Sequence, residues 1–179
     1  ENDYHYSKLG WFYRILLNVL SNTGIRRRQL IGIRWQDIDM TNAQLYLSAE
    51  FSKNGNDNLI PINQQLIHDF TLMKDRSGII RSTDQVFNLT KFSNDYSSNK
   101  SNETSETQIS GLFTRLSKKI GKSISPHQFR HTFATNIVNN GGNIKTLSEF
   151  LSHSDIRTTM IYVQPDMENM RKIQNMAIK

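Results

Sequence analysis

Apolar residues return at helical spacing early in the chain. Leu9, Phe12, Leu16, Val19 and Leu20, with Trp11 and Ile15 beside them, predict a helix that Gly24 stops. A second, short helix is predicted from about Ile25, turning Leu30 and Ile31 inward, before Trp35 and Asp37 lead into extended chain. Leu45, Leu47 and Ala49 then alternate with polar neighbours, and residues 58–62 are extended again beyond a turn holding Asn54 and Gly55. This period of two predicts a hairpin with Lys53 near its tip. Leu66, Ile67, Phe70 and Met73 restore the helical period, with Asn63 placed to cap it.

Residues 93–107 break every pattern. They are almost wholly Ser, Asn, Thr and charged residues around the single aromatic Tyr96, which predicts a mobile surface loop. Ile109, Leu112, Phe113, Leu116 and Ile120 resume the helical period up to Gly121. Ser125 and Pro126 supply a cap and a first helical residue for the next helix, with Phe129, Phe133, Ile137 and Val138 as its expected buried stripe. Helical stretches are predicted over 144–151, over 155–162 and after Pro165, with a turn at His153. In the last of them Met167, Met170, Ile173 and Ala177 form an apolar stripe that needs a partner, either its own domain or a neighbouring molecule. The fold class is therefore mainly α with a small antiparallel β-hairpin or sheet (α+β), and 179 residues suit one domain with one substantial core.

Composition narrows the partners. Lys and Arg outnumber Asp and Glu by 22 to 16, so the net charge of +6 favours a polyanion, although a basic balance also serves solubility. The absence of cysteine excludes disulfides, thiolate metal sites and a cysteine nucleophile. No apolar run is long enough to span a bilayer, and the first residues have no signal-like apolar core.

The densest polar constellation is Ser125-Pro126-His127-Gln128-Phe129-Arg130-His131-Thr132-Phe133. His127, Arg130 and His131 stand at i, i+3 and i+4, on one helical face opposite Phe129 and Phe133. A guanidinium offers two parallel donors to the non-bridging oxygens of a phosphodiester, and an imidazole can bond the same phosphate or move a proton. Taken alone, the segment fits a solvated basic face equally well. His127 and His131 have metal-ligand spacing, but no Glu follows His127 and no cysteine exists, so no metal is expected.

The run His127-x-x-Arg130-His-Thr-Phe-Ala-Thr resembles the second box of the tyrosine recombinase (phage integrase) family. His153, in Leu151-Ser152-His153-Ser154, lies 23 residues after Arg130, and Tyr162 follows nine residues later, both at the family's distances. Upstream, Thr23-Gly24-Ile25-Arg26-Arg27-Arg28-Gln29-Leu30 is similar to the first box, with Arg26 at its arginine, and Lys53 stands where the family has a hairpin lysine. Read without the motif, Tyr162 would be a half-buried core tyrosine, Arg27 and Arg28 an electrostatic patch, and Lys53 a solvated turn residue. The sequence departs from the family at Ser152, where glycine is usual, and at Gln29, where an acid is usual.

The resemblance implies a catalytic domain over residues 1–179, with residues 1–7 a linker remnant, residues 165–179 a tail helix, and a core-binding domain on the N-terminal side outside this chain. It implies a site-specific recombinase that needs no metal, ATP or other cofactor. Tyr162 would be the nucleophile, Arg26, Arg130 and His153 would bind phosphate, His127 would accept or orient a proton, and Lys53 would protonate the leaving oxygen. The implied partners are double-stranded DNA recombination sites, a homotetramer on that DNA and accessory DNA-bending proteins, in the cytoplasm at the nucleoid. A type IB topoisomerase-like strand rejoiner, or a weakened DNA-binding relative, shares most of these features.

Overall fold

The computed structural model describes residues 2–92, 103–163 and 167–176. Helix α1, Asn2–Thr23, is the central beam of the fold. The stretch expected as a linker remnant, residues 1–7, has helical backbone from residue 2 onward, and no residue before Gly10 interrupts a helix. Phe12, Ile15, Leu16, Val19 and Leu20 are completely buried, each contributing about 1.5–3 kcal/mol of burial. Gly24 ends the helix with a left-handed φ of 58°.

Helix α2, Arg27–Gly32, follows at once and buries Leu30, while Ile31 is only half-buried. The expected hairpin belongs to a three-stranded antiparallel meander of β1 (Ile38–Asp39), β2 (Gln44–Leu47) and β3 (Asn58–Pro61). Leu45 pairs with Ile60, and these two join the main core, whereas Tyr46 and Leu59 face outward. Ala49 does not continue the strand: it opens a short 3₁₀ turn, Ala49–Phe51, capped by Ser48. Helix α3, Gln64–Arg76, begins where Asn63 accepts a hydrogen bond from the Leu66 amide, and Leu66, Phe70 and Met73 reach the core against α1.

The stretch between α3 and helix α4, Leu89–Phe92, showed no period in the sequence, yet Val86, Phe87 and Leu89 are buried. Its backbone is held by pairing with the chain after α2, Val86 N–H donating to Ile33 O and Trp35 N–H to Asp84 O. Most of the expected loop, 93–102, lies outside the described residues, but its last part is structured. Thr104 is buried, exchanging hydrogen bonds with Gln85 and accepting from the Leu89 amide, and Ser105 caps helix α5, Glu106–Ile120. Ile109, Leu112 and Phe113 face inward as expected; Ile120 is exposed beside the left-handed Gly121 cap.

Helices α6 (Pro126–Asn139) and α7 (Ile144–Phe150) pack on each other, and α6 also packs on α1. The stretch 155–162 contains only one helical turn, α8 (Arg157–Met160), after which Tyr162 sits in a turn. Helix α9, Met167–Met176, closes the described chain; Met170 is exposed, while the side chains of Met167 and Ile173, and Ala177, lie outside what is described.

A small second core of Ala134, Leu147, Leu151 and Tyr162, with Phe133 packed against it, fills the space where α6, α7 and α8 meet. It reaches the main body at Gly24, where a Cβ would stand 2.7 Å from Phe133 Cδ1. Gly24→Ala is expected to cost about 1–3 kcal/mol, through this overlap and the positive φ, and to lower the thermal midpoint by at least about 2 °C. An unchanged midpoint in calorimetry would show that the junction tolerates a side chain.

Candidate active site

Arg130 is the most buried charged group of the site, at 5% exposure. This corrects the expected pattern of α6. Arg130 and Ala134 turn inward, Phe129, Phe133, Ile137 and Val138 are half-buried, and His127 and His131 are exposed. Because α6 is wedged between α1 and α7, its inward line falls between the two apolar rows rather than on one of them. The Arg130 guanidinium donates from Nη1 to Gly24 O at 2.9 Å and from Nη2 to Leu151 O at 2.8 Å, joining the end of α1 to the end of α7. Nη2 also lies 2.7 Å from His153 Nε2.

Arg26 approaches from the other side, at the start of α2. Gln29, 3% exposed, turns its amide oxygen back onto the Arg26 N–H at 2.9 Å, closing the first turn of the helix. An acid at this position could accept the same bond, so the departure at Gln29 leaves the backbone placement of Arg26 intact. The Nη1 of the Arg26 side chain has no such partner, being buried and bonded to nothing among the described residues. Burial lowers its pKa, opposed by attraction to Tyr162. Burial and repulsion from Arg26 lower Arg130 further, to about 10, opposed by attraction and hydrogen bonding to Tyr162. Both remain cationic at neutral pH, so the two guanidiniums form a desolvated pair of like charges.

His153 follows a left-handed Ser152, with φ 52°, where glycine would be unstrained. Asn54, in the β2–β3 connection, and Asn58, the first residue of β3, hold that turn. Asn54 Nδ2 donates to Ser152 O at 2.7 Å, and Asn58 Nδ2 contacts Phe150 O at 3.0 Å and Ser152 Oγ at 2.7 Å. These bonds offset the strain and bring the loop carrying Lys53 beside His153. Lys53 itself is exposed and makes no hydrogen bond with the arginine cluster among the described residues. Burial first, then the charges of Arg130 and Arg26, push His153 down to about 4, leaving a neutral ring at neutral pH.

Tyr162 unites the two readings of its sequence position. Its ring belongs to the second core at 4% exposure, with His131 edge-on at 5.3 Å between centroids, while its hydroxyl end interacts with Arg26 and Arg130. His127 lines one cleft with Arg26, Arg130 and Ser125. Thus Arg26, Arg130, His153 and Tyr162 converge, His127 borders them, and Lys53 stands apart on a loop docked next to His153. Arg27 and Arg28, expected as a free patch, instead bridge to Glu106 at the start of α5, and Arg27 also reaches Ser110. The sequence reading missed the carbonyls of Gly24 and Leu151, which carry no side-chain signal, and the roles of Asn54, Asn58 and Thr159. An Asn-rich turn and paired threonines before the tyrosine are the only hints of those roles in the sequence.

The sequence profile of the phage integrase family matches residues 2–169. A relative from Pseudomonas aeruginosa, named a putative tyrosine recombinase XerC, is 32% identical over 166 residues, covering 91% of this chain and 38% of its own length. The chain thus spans well under half of that relative. Among solved structures, that of XerA recombinase superposes with a TM-score of 0.68 at 22% identity, covering 98% of this chain and 59% of its own. The Tn1549 transposon integrase in complex with a circular intermediate DNA superposes at 0.71 and 24% identity, covering 91% of this chain and 57% of its own.

The two arginines should respond differently to shortening. Arg130→Lys strands the buried carbonyls of Gly24 and Leu151, at about 1–3 kcal/mol each, and should lower the thermal midpoint by several degrees. Arg26→Lys gives up no bond from Nη1 and should shift it by less than about 2 °C. Equal shifts in calorimetry would contradict this division.

Proposed function

This chain belongs to the phage integrase family, and from that membership we propose that it is the catalytic domain of a site-specific DNA recombinase that cuts and rejoins strands through Tyr162. The observation that carries the reading is the buried Arg26 Nη1, unbonded among the described residues, with Arg130 and the Tyr162 hydroxyl acting on the same guanidinium. An orphaned buried donor next to a second cation has an unmet demand for an anionic oxygen, and a DNA phosphodiester supplies it beside a hydroxyl nucleophile.

In the proposed reaction the Tyr162 oxygen attacks phosphorus in line, forming a 3′-phosphotyrosyl bond as the bond to the 5′-oxygen breaks. His127 takes the phenolic proton and Lys53 gives one to the departing 5′-oxygen. A 5′-hydroxyl of the partner duplex later attacks the phosphotyrosine and releases Tyr162, so the bond energy is retained and neither ATP nor metal enters the balance. Negative charge gathers on the equatorial oxygens in the transition state, where Arg26, Arg130 and His153 bind more strongly than in the ground state. Lys53, exposed on its loop, meets the leaving oxygen only when DNA lies across the site.

The DNA partner is a pair of double-stranded recombination sites held by a homotetramer, with accessory DNA-bending proteins where the sites require them. A cytoplasmic, nucleoid-associated location follows from that substrate. Docking of the α9 tail on a neighbouring protomer would couple the position of Tyr162 to assembly. The chain alone should bind DNA modestly and with strong salt dependence.

The test uses a nicked suicide duplex built from the flanks of the protein's own genetic element. The protein should form an adduct that survives SDS, and Tyr162→Phe should abolish it. Arg26→Lys should slow adduct formation by at least about a hundredfold while DNA affinity falls far less. An adduct that persists in Tyr162→Phe, or maps by mass spectrometry to another residue, would overturn the assignment.

A further inference from the structure

Thr159 is completely buried, at 0% exposure, yet its hydroxyl points at a residue of the site. Its Oγ1 lies 2.7 Å from His153 Nδ1, and its backbone carbonyl accepts from the Tyr162 N–H at 3.1 Å. A buried hydroxyl is costly unless bonded, and here the bond goes to the imidazole. One residue of α8 therefore grips the histidine ring with its side chain and the tyrosine's backbone with its main chain.

We propose that Thr159 is a positioning residue that keeps the His153 ring oriented while its proton changes nitrogen, and that ties this ring to the segment bearing Tyr162. The inference rests on the reading of the arginine cluster as a phosphate site. The donor inventory assigns the free state. A guanidinium has no acceptor, so the 2.7 Å contact from Arg130 Nη2 requires a lone pair on His153 Nε2. The ring proton is then on Nδ1, and Thr159 Oγ1 accepts it. In that tautomer Nε2 has no hydrogen to offer a phosphate oxygen.

When a phosphate draws Arg130 away from Nε2, the ring becomes a donor by losing the Nδ1 proton and gaining one at Nε2 through exchange with water, with no net change in charge. Nδ1 is then an acceptor and needs a donor. The Thr159 hydroxyl rotates and provides it, since a hydroxyl both donates and accepts. A carbonyl or carboxylate in its place would hold the proton on Nδ1 and oppose the exchange.

The test compares Thr159→Ser, which keeps the hydroxyl, with Thr159→Val, which keeps the shape and removes it. Nitrogen-15 NMR of the free protein should show His153 as the Nδ1–H tautomer in the wild type and in Thr159→Ser, and a changed ring signature in Thr159→Val. With the suicide duplex, Thr159→Ser should form adduct within about threefold of the wild-type rate. Thr159→Val should be slower by at least about tenfold, as for other partners that orient a functional imidazole, with DNA affinity unchanged. An Nε2–H tautomer in the free wild type would overturn the proposal, as would a Val variant that cleaves like the Ser variant. Should the wild type form no adduct at all, the phosphate-site reading fails, and the NMR comparison still judges the Thr159–His153 assignment.

Discussion

Burial of the Arg130 guanidinium is the constraint on which the rest of the site depends. A cation removed from water must find acceptors, and Arg130 finds neutral ones in the carbonyls of Gly24 and Leu151 and the ring nitrogen of His153. Meeting that demand pins the end of α1, the middle of α6 and the end of α7 to one point. No carboxylate is among these partners, so among the described residues the charge of Arg130 has no anionic hydrogen-bond partner, and Arg26 beside it adds a second positive charge. The cost appears as the lowered pKa of both arginines and of His153. An anion arriving at this point relieves that repulsion, and one gaining charge in a transition state relieves it further.

The contrast with the neighbouring arginines is instructive. Arg27 and Arg28 pair with Glu106, and Arg34 pairs with Glu103, tying α2 and the chain after it to the start of α5. These pairs are partly exposed, individually worth little, and satisfied without a ligand. Arg26 differs by one position in the chain and by the whole of its surroundings. It sits before the helix rather than on it, where Gln29 fixes its backbone and its side chain turns toward Tyr162 instead of toward α5.

The second core explains how a tyrosine can be both a packing residue and a candidate nucleophile. Ala134, Leu147 and Leu151 hold the ring of Tyr162, and the backbone of Thr159 holds its turn. Only the polar end is free to interact, and it meets the two cations. The same economy holds at His153, where the strained Ser152 turn is stitched by Asn54 and Asn58, so that the loop bearing Lys53 and the turn bearing His153 are one unit.

Much of this was legible in the chain itself. Helical and alternating periods located α1, α3, α5, α6 and the β2–β3 hairpin, and the caps at Asn63 and Ser125 and the stops at Gly24 and Gly121 are local effects of backbone geometry that need no tertiary context. The spacing of Arg26, Lys53, His127, Arg130, His153 and Tyr162 was likewise visible, since a motif is a property of order. What the order could not decide was which face of α6 turns inward, because an amphipathic helix with two half-apolar rows has no single preferred side until α1 and α7 close on it. Residue chemistry could not separate Arg26 from Arg27 and Arg28, which are identical side chains; only the resemblance singled out Arg26, and the physical difference lies in what each one faces. The stretch around Val86 and Phe87 was silent because its pairing partner, near Ile33, is some fifty residues away. Thr159 was silent for the same reason: a hydroxyl takes its meaning from the atom 2.7 Å from it, and only the folded chain puts His153 there.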